Sequence, residues 1–225
     1  MLFQLIRGAD AADIIAYIFA MAFVVFCTLP IHEYAHALVA YKLGDPTAKN
    51  MGRLTISPMA HIDWIGALMI FLVGFGYAKP VPVNARNFKK PKLGMALSAI
   101  AGPLSNIIMA FIFLVGTQMV LHFVKNYTVL WSAVYSFLYF AALVNISLAV
   151  FNLIPIPPLD GSRVLSAVLP DKYYFKLMQY ERYIVIVVFI LLITGVLSTP
   201  LSWLSGYVFK ALNYIAALPF GGLLK

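Results

Sequence analysis

Two long stretches of the chain contain no Asp, Glu, Lys or Arg, and they limit the possible folds more than any other feature. They run from Leu93 to Val124 and from Asn126 to Leu159. A helix needs about 20 apolar residues to cross the hydrocarbon core of a bilayer, so each stretch is long enough. Only 11% of all residues are charged, whereas soluble proteins carry about 25%. The sequence therefore predicts a membrane protein.

Lipid offers no water to satisfy free backbone N–H and C=O groups, which favours helices over open sheets. We therefore predict an all-α polytopic membrane protein of about five or six transmembrane helices. The first runs from Ile14 to about Tyr41 and carries Pro30, which should kink it. Further spans are predicted at 93–124, 126–159, 183–197 and 201–218. The apolar segment 64–78 is short for a span, which favours a re-entrant element.

Two short segments after the first helix carry strand signals. Residues Arg53 to Ser57 alternate in polarity, and Pro80 to Val83 is kept extended because each proline disfavours helix at the preceding residue. We therefore predict a small membrane-associated β-hairpin together with the re-entrant element. Residues 1–225 are predicted to form a single transmembrane domain, with a core at 14–170 and additional C-terminal helices at 173–225.

The net charge of +8 is distributed between the apolar stretches. This distribution is typical of cytoplasmic loops in membrane proteins, so we predict the lipid bilayer and no nucleic acid as a partner. The most basic loop, 84–92, contains Arg86, Lys89, Lys90 and Lys92. The positive-inside rule places this loop in the cytoplasm.

The first predicted span contains an H-E-x-x-H motif, His32-Glu33-Tyr34-Ala35-His36. Histidines four residues apart on a helix share one face, with Cβ atoms about 6 Å apart, so both rings can bind one Zn²⁺. Glu33 is then placed to take a proton from an attacking water. Polar groups at this depth are costly, which favours a functional site. The alternative is a hydrogen-bonded polar patch between helices.

A catalytic zinc site needs a third protein ligand and an open position. Asp160 is the best candidate among the eight acidic residues, because it follows a proline-broken segment at the end of a long apolar stretch. Gly161 follows it and permits a sharp turn. The alternative is that Asp160 only caps a helix that starts near Ser162. We predict one Zn²⁺ per chain, bound by His32, His36 and Asp160.

The predicted topology places the two halves of this site relative to the membrane. If loop 84–92 is cytoplasmic, the span at 93–124 runs outward and the next span returns, so Asp160 lies near the cytoplasmic face. The end of the first helix lies on the same face only if 64–78 re-enters. The chain is therefore predicted to be a multi-pass protein of the cell membrane with its metal site near the cytoplasmic face.

Three motifs in this order resemble the site-2 proteases, a family of intramembrane zinc metalloproteases. They are H-E-x-x-H at 32–36, Ala101-Gly102-Pro103-Leu104-Ser105-Asn106, and the segment from Asn152 to Asp160-Gly161. The resemblance covers about residues 15–170 and is closest to the short prokaryotic members without a PDZ domain. It implies a zinc metalloendopeptidase that hydrolyses peptide bonds within or near transmembrane segments of membrane-protein substrates.

The resemblance also implies roles for individual residues. Zinc is held by His32, His36 and Asp160, and Glu33 is the general base. Asn106 is expected to act in catalysis and substrate binding, since its amide can donate to the substrate or its oxyanion. The alternative for Asn106 is a hydrogen bond between helices.

Asn152 is expected to contact substrate or to support the Asp160 loop, and the alternative is that it only satisfies the broken backbone there. His61 is a candidate to approach the site, but a histidine in a loop has no required role as a ligand. Two alternative functions are a metal transporter, which also needs His and Asp in the membrane, and a catalytically inactive adaptor that holds membrane segments. A metal transporter needs no Glu33 directly after the first histidine and needs more acidic residues along a path. A catalytically inactive adaptor does not need the whole set of His32, Glu33, His36 and Asp160. No motif indicates an oligomeric state.

Overall fold

The computed structural model describes residues 11–73, 78–126 and 128–221. The regular structure in these ranges is helical. The helices are α1 Ala11–Phe23, α2 Leu29–Lys42, α3 Thr47–Asn50, α4 Pro58–His61, α5 Trp64–Val73, α6 Pro91–Phe123, α7 Val129–Asn152, α8 Asp160–Leu165, α9 Asp171–Gln179, α10 Glu181–Ile193 and α11 Ser198–Ala217. A π-helical turn, Val24–Thr28, joins α1 to α2, and 3₁₀ turns occur at Ala85–Asn87 and Leu218–Phe220.

Three helical stretches of the described chain are long and apolar enough to cross a membrane. They are Ala12–Lys42, Pro91–Phe123 and Val129–Asn152. This is fewer than the prediction of about five or six spans. The apolar residues at 183–197 belong largely to α10, which has 13 residues. Such a helix is about 20 Å long and does not cross a hydrocarbon core of about 30 Å.

The predicted β-hairpin is wrong, because the described ranges contain no strand. Residues 54–57 are irregular ahead of α4, and residues 78–84 carry no regular secondary structure. Pro80 and Pro82 lack the N–H groups that a strand interior uses in its ladder. The main chain at 79–81 is hydrogen-bonded to side chains and to one carbonyl group instead, as described below.

The residues before and after the segment that contains α5 lie next to each other. The N–H of Lys79 donates a hydrogen bond of 2.8 Å to the carbonyl oxygen of His61, which joins the two ends of this segment. At its start, Ile62 and Ala67 pack in a cluster with Tyr17 of α1. The described part of this segment, α5, has 10 residues and is about 15 Å long. The predicted re-entrant element extends to residue 78, and residues 74–77 of it lie outside the described ranges.

The π-helical turn lies directly ahead of the H-E-x-x-H motif. The N–H of Leu29 donates to the carbonyl oxygen of Val24, five residues earlier, and the Thr28 hydroxyl donates to the same oxygen over 3.1 Å. Pro30 accounts for this widening, because it has no N–H and its ring crowds the carbonyl group of Phe26. The predicted disturbance of the helix at Pro30 therefore takes the form of a wide turn.

Helices α1, α6, α7 and α11 pack around a core that is rich in alanine. Its fully buried members are Ala20, Ala110, Leu114, Ala141, Ala142, Ile146 and Ala216. Lipid is as apolar as these side chains, so close approach and dispersion hold such helices together, and small residues permit that approach. The second half of the first span, α2, packs against α6. This contact places the H-E-x-x-H motif beside the first third of α6.

Candidate metal centre

Three ligand atoms from distant parts of the chain converge between α2 and α8. The Nε2 atoms of His32 and His36 are 3.0 Å apart. Each lies 3.2 Å from Oδ2 of Asp160. Ligands at about 2.0–2.1 Å from a tetrahedral zinc stand about 3.3 Å from each other. The triangle therefore has the size that a zinc ion requires, and these residues could hold one.

The two histidines lie one helical turn apart on α2, which brings both rings to one face. Both are buried, at 3% exposure for His32 and 7% for His36. Nδ1 of His36 is 2.7 Å from the carbonyl oxygen of Ser98 on α6. A carbonyl can only accept, so Nδ1 carries the proton and Nε2 presents its lone pair to the metal position. The contact between α2 and α6 thus orients one of the ligands.

Gly102 leaves the space in which the two imidazole rings meet. A Cβ atom at this position would lie 2.3 Å from Nε2 of His36 and 2.5 Å from Nε2 of His32. These are far below van der Waals distance, so any side chain here would displace the ligands. The glycine of the Ala101–Asn106 motif is therefore part of the wall of the metal centre.

Asp160 is the first residue of α8, and the N-cap position belongs to Leu159. Asp160 is thus not the cap residue, and its carboxylate points to the histidines. Gly161 allows the chain to fold back, because a Cβ there would lie 2.3 Å from the carbonyl oxygen of Leu153. Its φ is not in the left-handed region. Close approach, and not the sharp turn that we predict, is what requires this glycine.

Glu33 lies next to the first ligand and is 8% exposed. The N–H of Val81 donates a hydrogen bond of 3.1 Å to its Oε2. No other hydrogen bond to this carboxylate is made by residues in the described ranges. The second oxygen, Oε1, therefore retains its acceptor capacity for a water or a substrate.

Asn106 is 1% exposed, and neither its Nδ2 nor its Oδ1 has a partner among the described residues. The alternative of a hydrogen bond between helices is thus not realised there. Asn106 follows Gly102 by four residues on α6 and shares its face, which meets the two histidines. Unpartnered buried amides are costly and call for an explanation. Asn152, in contrast, is the half-buried last residue of α7 and makes no side-chain hydrogen bond within the described part.

His61 is not a member of the metal cluster that the described residues form. Its ring is fully buried, and Nε2 lies 2.7 Å from the carbonyl oxygen of Thr55. Burial lowers the pKa of His61, so the ring is neutral at pH 7. The ring therefore helps to hold the irregular segment ahead of α4.

Some contributors to the centre are invisible in the sequence. Ser98 and Val81 act through main-chain atoms, which any residue type supplies. Arg53 belongs to a predicted strand, whereas its guanidinium donates to the carbonyl oxygens of Lys79 and Pro80. The one sequence feature that could have drawn attention to Arg53 is its position as a lone arginine between apolar segments, outside the basic loop.

Comparison with known proteins gives consistent results. The model of peptidase family M50 matches residues 117–195. A Bacillus subtilis protein named "Putative zinc metalloprotease YwhC" is 44% identical over 164 residues, which cover 72% of this chain and 75% of the relative. A Mycobacterium tuberculosis protein named "Putative zinc metalloprotease Rip2" is 27% identical over 186 residues, covering 81% of this chain and 68% of the relative. No solved structure matches the chain.

The similarity to the Bacillus subtilis protein extends over more than two thirds of both chains. The apolar helices and the His32, His36 and Asp160 cluster agree with it. The predicted family and the predicted zinc ion are thereby confirmed, and the transporter alternative is removed. The chain belongs to peptidase family M50, the site-2 proteases, and is an intramembrane zinc metalloprotease.

Proposed function

We propose that the protein hydrolyses peptide bonds within or near transmembrane segments of membrane-protein substrates, with Zn²⁺ held by His32, His36 and Asp160. The convergence of their three ligand atoms inside an apolar bundle carries this proposal. Bound zinc would polarise the scissile carbonyl group and lower the pKa of the attacking water. The protein's own residues supply the proton transfer and the orientation of the groups.

Glu33 is the general base in this mechanism. Its Oε2 is occupied by the N–H of Val81, so Oε1 takes the proton of the attacking water and passes it to the leaving amine. His36 is kept in its ligand tautomer by Ser98. These contacts exist before substrate arrives, so little reorganisation is needed during the reaction.

Asn106 is proposed to bind the substrate carbonyl as negative charge develops on its oxygen. Its amide is buried on the face of α6 that also carries Gly102, and it has no partner in the described ranges. A donor that no neighbour occupies can hydrogen-bond the substrate without first breaking another contact. Loss of such a donor typically lowers kcat by about 100- to 1,000-fold.

Cleavage of a model transmembrane substrate by the purified chain in detergent tests the proposal. Glu33→Gln is compared with Glu181→Gln, the same change at the only other glutamate of the chain. We expect Glu33→Gln to lose activity by about 100- to 10,000-fold and to keep one bound zinc, while Glu181→Gln behaves like wild type. Wild-type protein without zinc would overturn the site, and an active Glu33→Gln would overturn the role of Glu33.

We further propose that the metal centre lies near the cytoplasmic face of the cell membrane in a multi-pass protein. Ser98, which binds His36, follows Lys90 by eight residues and thus lies about 12 Å along α6 from its basic end. Loop 84–92 adjoins that end, and its positive charge indicates the cytoplasmic side. At this depth water reaches the metal without crossing the whole hydrocarbon core.

A further inference from the structure

Residues 78–84, called the strap below, run beside Glu33 and are held through their main chain. The N–H of Val81 donates to Glu33, and the N–H of Lys79 donates to the carbonyl oxygen of His61. The guanidinium of Arg53 donates to the carbonyl oxygens of Lys79 and Pro80, the latter over 3.3 Å. Both main-chain groups of Lys79 and the adjoining groups of Pro80 and Val81 are thus paired.

Arg53 is a buried cation without an acidic partner in the described ranges. It is 8% exposed, and its Nε has no hydrogen-bond partner there. No acidic side chain of the described residues lies within ion-pair distance of Arg53. Burial of an unpaired guanidinium is unfavourable for folding. Its position is therefore better explained by what it holds than by stability.

The strap has two further fixed points, one at the side chain of Val81 itself and one at the C-terminal end of the strap. Val81 is 4% exposed and packs with Ala37, one turn beyond Glu33 on α2. At the far end, the N–H of Asn84 donates to Oδ2 of Asp45 over 2.7 Å. Burial acts to raise the pKa of Asp45, but the hydrogen bonds that it accepts hold this pKa below its usual value. Asp45 is thus an ionised anchor at neutral pH.

We propose that Arg53 is a positioning residue for the general base. By holding the carbonyl groups of Lys79 and Pro80 it fixes the N–H of Val81, and that N–H fixes the orientation of the Glu33 carboxylate. This inference rests on the proposed function of Glu33. No hydrogen bond joins Arg53 to His32, His36 or Asp160 in the described chain. Its loss therefore disturbs the base and leaves the metal ligands in place.

The test compares Arg53→Met, which removes the charge and all donors, with Arg53→Lys, which keeps a cationic donor. Misplacement of a reacting group by about 1 Å costs about 100-fold in rate. We expect Arg53→Met to lower kcat by about 10- to 100-fold with KM and bound zinc unchanged, and Arg53→Lys to recover part of the loss. A higher KM at wild-type kcat would assign Arg53 to substrate binding and overturn the proposal.

A second pair of variants tests the positioning of Glu33 if Arg53→Met does not fold. Val81→Pro removes the N–H that donates to Glu33. Val83→Pro is its matched control, because both valines follow a proline in the strap and no described residue accepts a hydrogen bond from the N–H of Val83. We expect a lower kcat in Val81→Pro alone. Equal losses in both would show that the strap only needs to be intact, which contradicts the proposal.

Glu33→Gln in the same assay distinguishes a failure of the positioning role of Arg53 from a failure of the proposed function. If Glu33→Gln is inactive while Arg53→Met and Val81→Pro keep the wild-type kcat, the positioning role is wrong and the role of Glu33 stands. If Glu33→Gln cleaves like wild type, the proposed function fails and the positioning role fails with it.

Discussion

Gly102 has no side chain at the point where two imidazole rings come together. The space it leaves is bounded by Nε2 of His32 and Nε2 of His36, the atoms that face the metal position. Both rings are fixed by their place on α2, and His36 is also fixed by Ser98. A methyl group at Gly102 would therefore displace one or both imidazole rings and separate the ligand atoms.

Zinc affinity is accordingly sensitive to Gly102→Ala. We expect affinity to fall by about 100-fold, comparable to the loss of a group that orients a ligand. Gly116→Ala on the same helix is the control, since its Cβ would meet Leu138 at 3.4 Å, an ordinary contact. Competition with a chelator of known affinity measures both. Unchanged affinity in Gly102→Ala would show that the metal does not occupy this space.

At this scale the sequence predicts chemistry that resides in side chains. His32, Glu33 and His36 follow from their spacing on one helix, and Asp160 follows from its place after a broken segment. Their assigned roles await the experiments described above. The partners that act through backbone atoms, such as the carbonyl group of Ser98, have no signature, because every residue type carries the same group.

The connection between α7 and α8 is the element that delivers Asp160. Residues 153–159 contain three prolines and cannot continue α7, so the chain turns back on itself. Gly161 then passes the carbonyl oxygens of Leu153 and Ile154 so closely that its Cβ would lie 2.3 and 2.5 Å from them. Because these neighbours are backbone atoms, no side-chain rotation can relieve the contact.

Gly161→Ala is therefore expected to move Asp160 away from the histidines. Bound zinc and cleavage should fall together, by about 10-fold or more, since the carboxylate is displaced and remains chemically intact. Gly206→Ala in α11 provides the comparison, because a Cβ there meets nothing within 4 Å. Zinc content and cleavage rate are measured on both variants. A fully active Gly161→Ala would contradict this prediction and show that residues 153–159 can shift to accommodate a Cβ atom without moving Asp160.

The strap shows why the predicted hairpin is wrong at this scale. Alternation in Arg53 to Ser57 resembles a strand, but Arg53 is turned inward to hold carbonyl groups and the carbonyl oxygen of Thr55 is held by His61. The extended conformation at Pro80 to Val83 that local sterics predict stays a prediction, because these residues carry no regular secondary structure. Pairing between the two segments depends on tertiary contacts, which local pattern does not report.

At the scale of the whole molecule, α6 is the central element. Its 33 residues carry Ser98, Gly102 and Asn106 toward one end. Toward the other end, Gln118 donates a hydrogen bond of 2.9 Å to Asn213 and thereby ties α11 to the bundle. The three long spans are predicted from hydropathy, whereas the C-terminal segment at 183–197 is apolar but too short as a helix to count. Apolar composition alone does not fix helix length.

Labelling at both ends of α6 tests the orientation of the protein. In a Cys27→Ala background, which removes the single native cysteine, Lys89→Cys and Lys125→Cys place one exposed thiol at each end. A membrane-impermeant maleimide applied to intact cells should label Lys125→Cys, and Lys89→Cys only after permeabilisation. The reverse pattern would place the metal centre at the outer face.

The π-helical turn determines how far α2, which carries the metal ligands, is rotated about the helix axis relative to α1. Buried pairs recur every four residues, from Ala16 and Tyr17 to His36 and Ala37. In a regular α-helix such a stripe would drift by about 200° over this length, and one extra residue in a wide turn removes about half of that drift. In evolutionary terms the turn resembles a one-residue insertion whose loss would require compensating changes elsewhere. Deleting one residue would leave α1 and α2 helical, but it would rotate the metal ligands on α2 toward different neighbours from those that α1 requires.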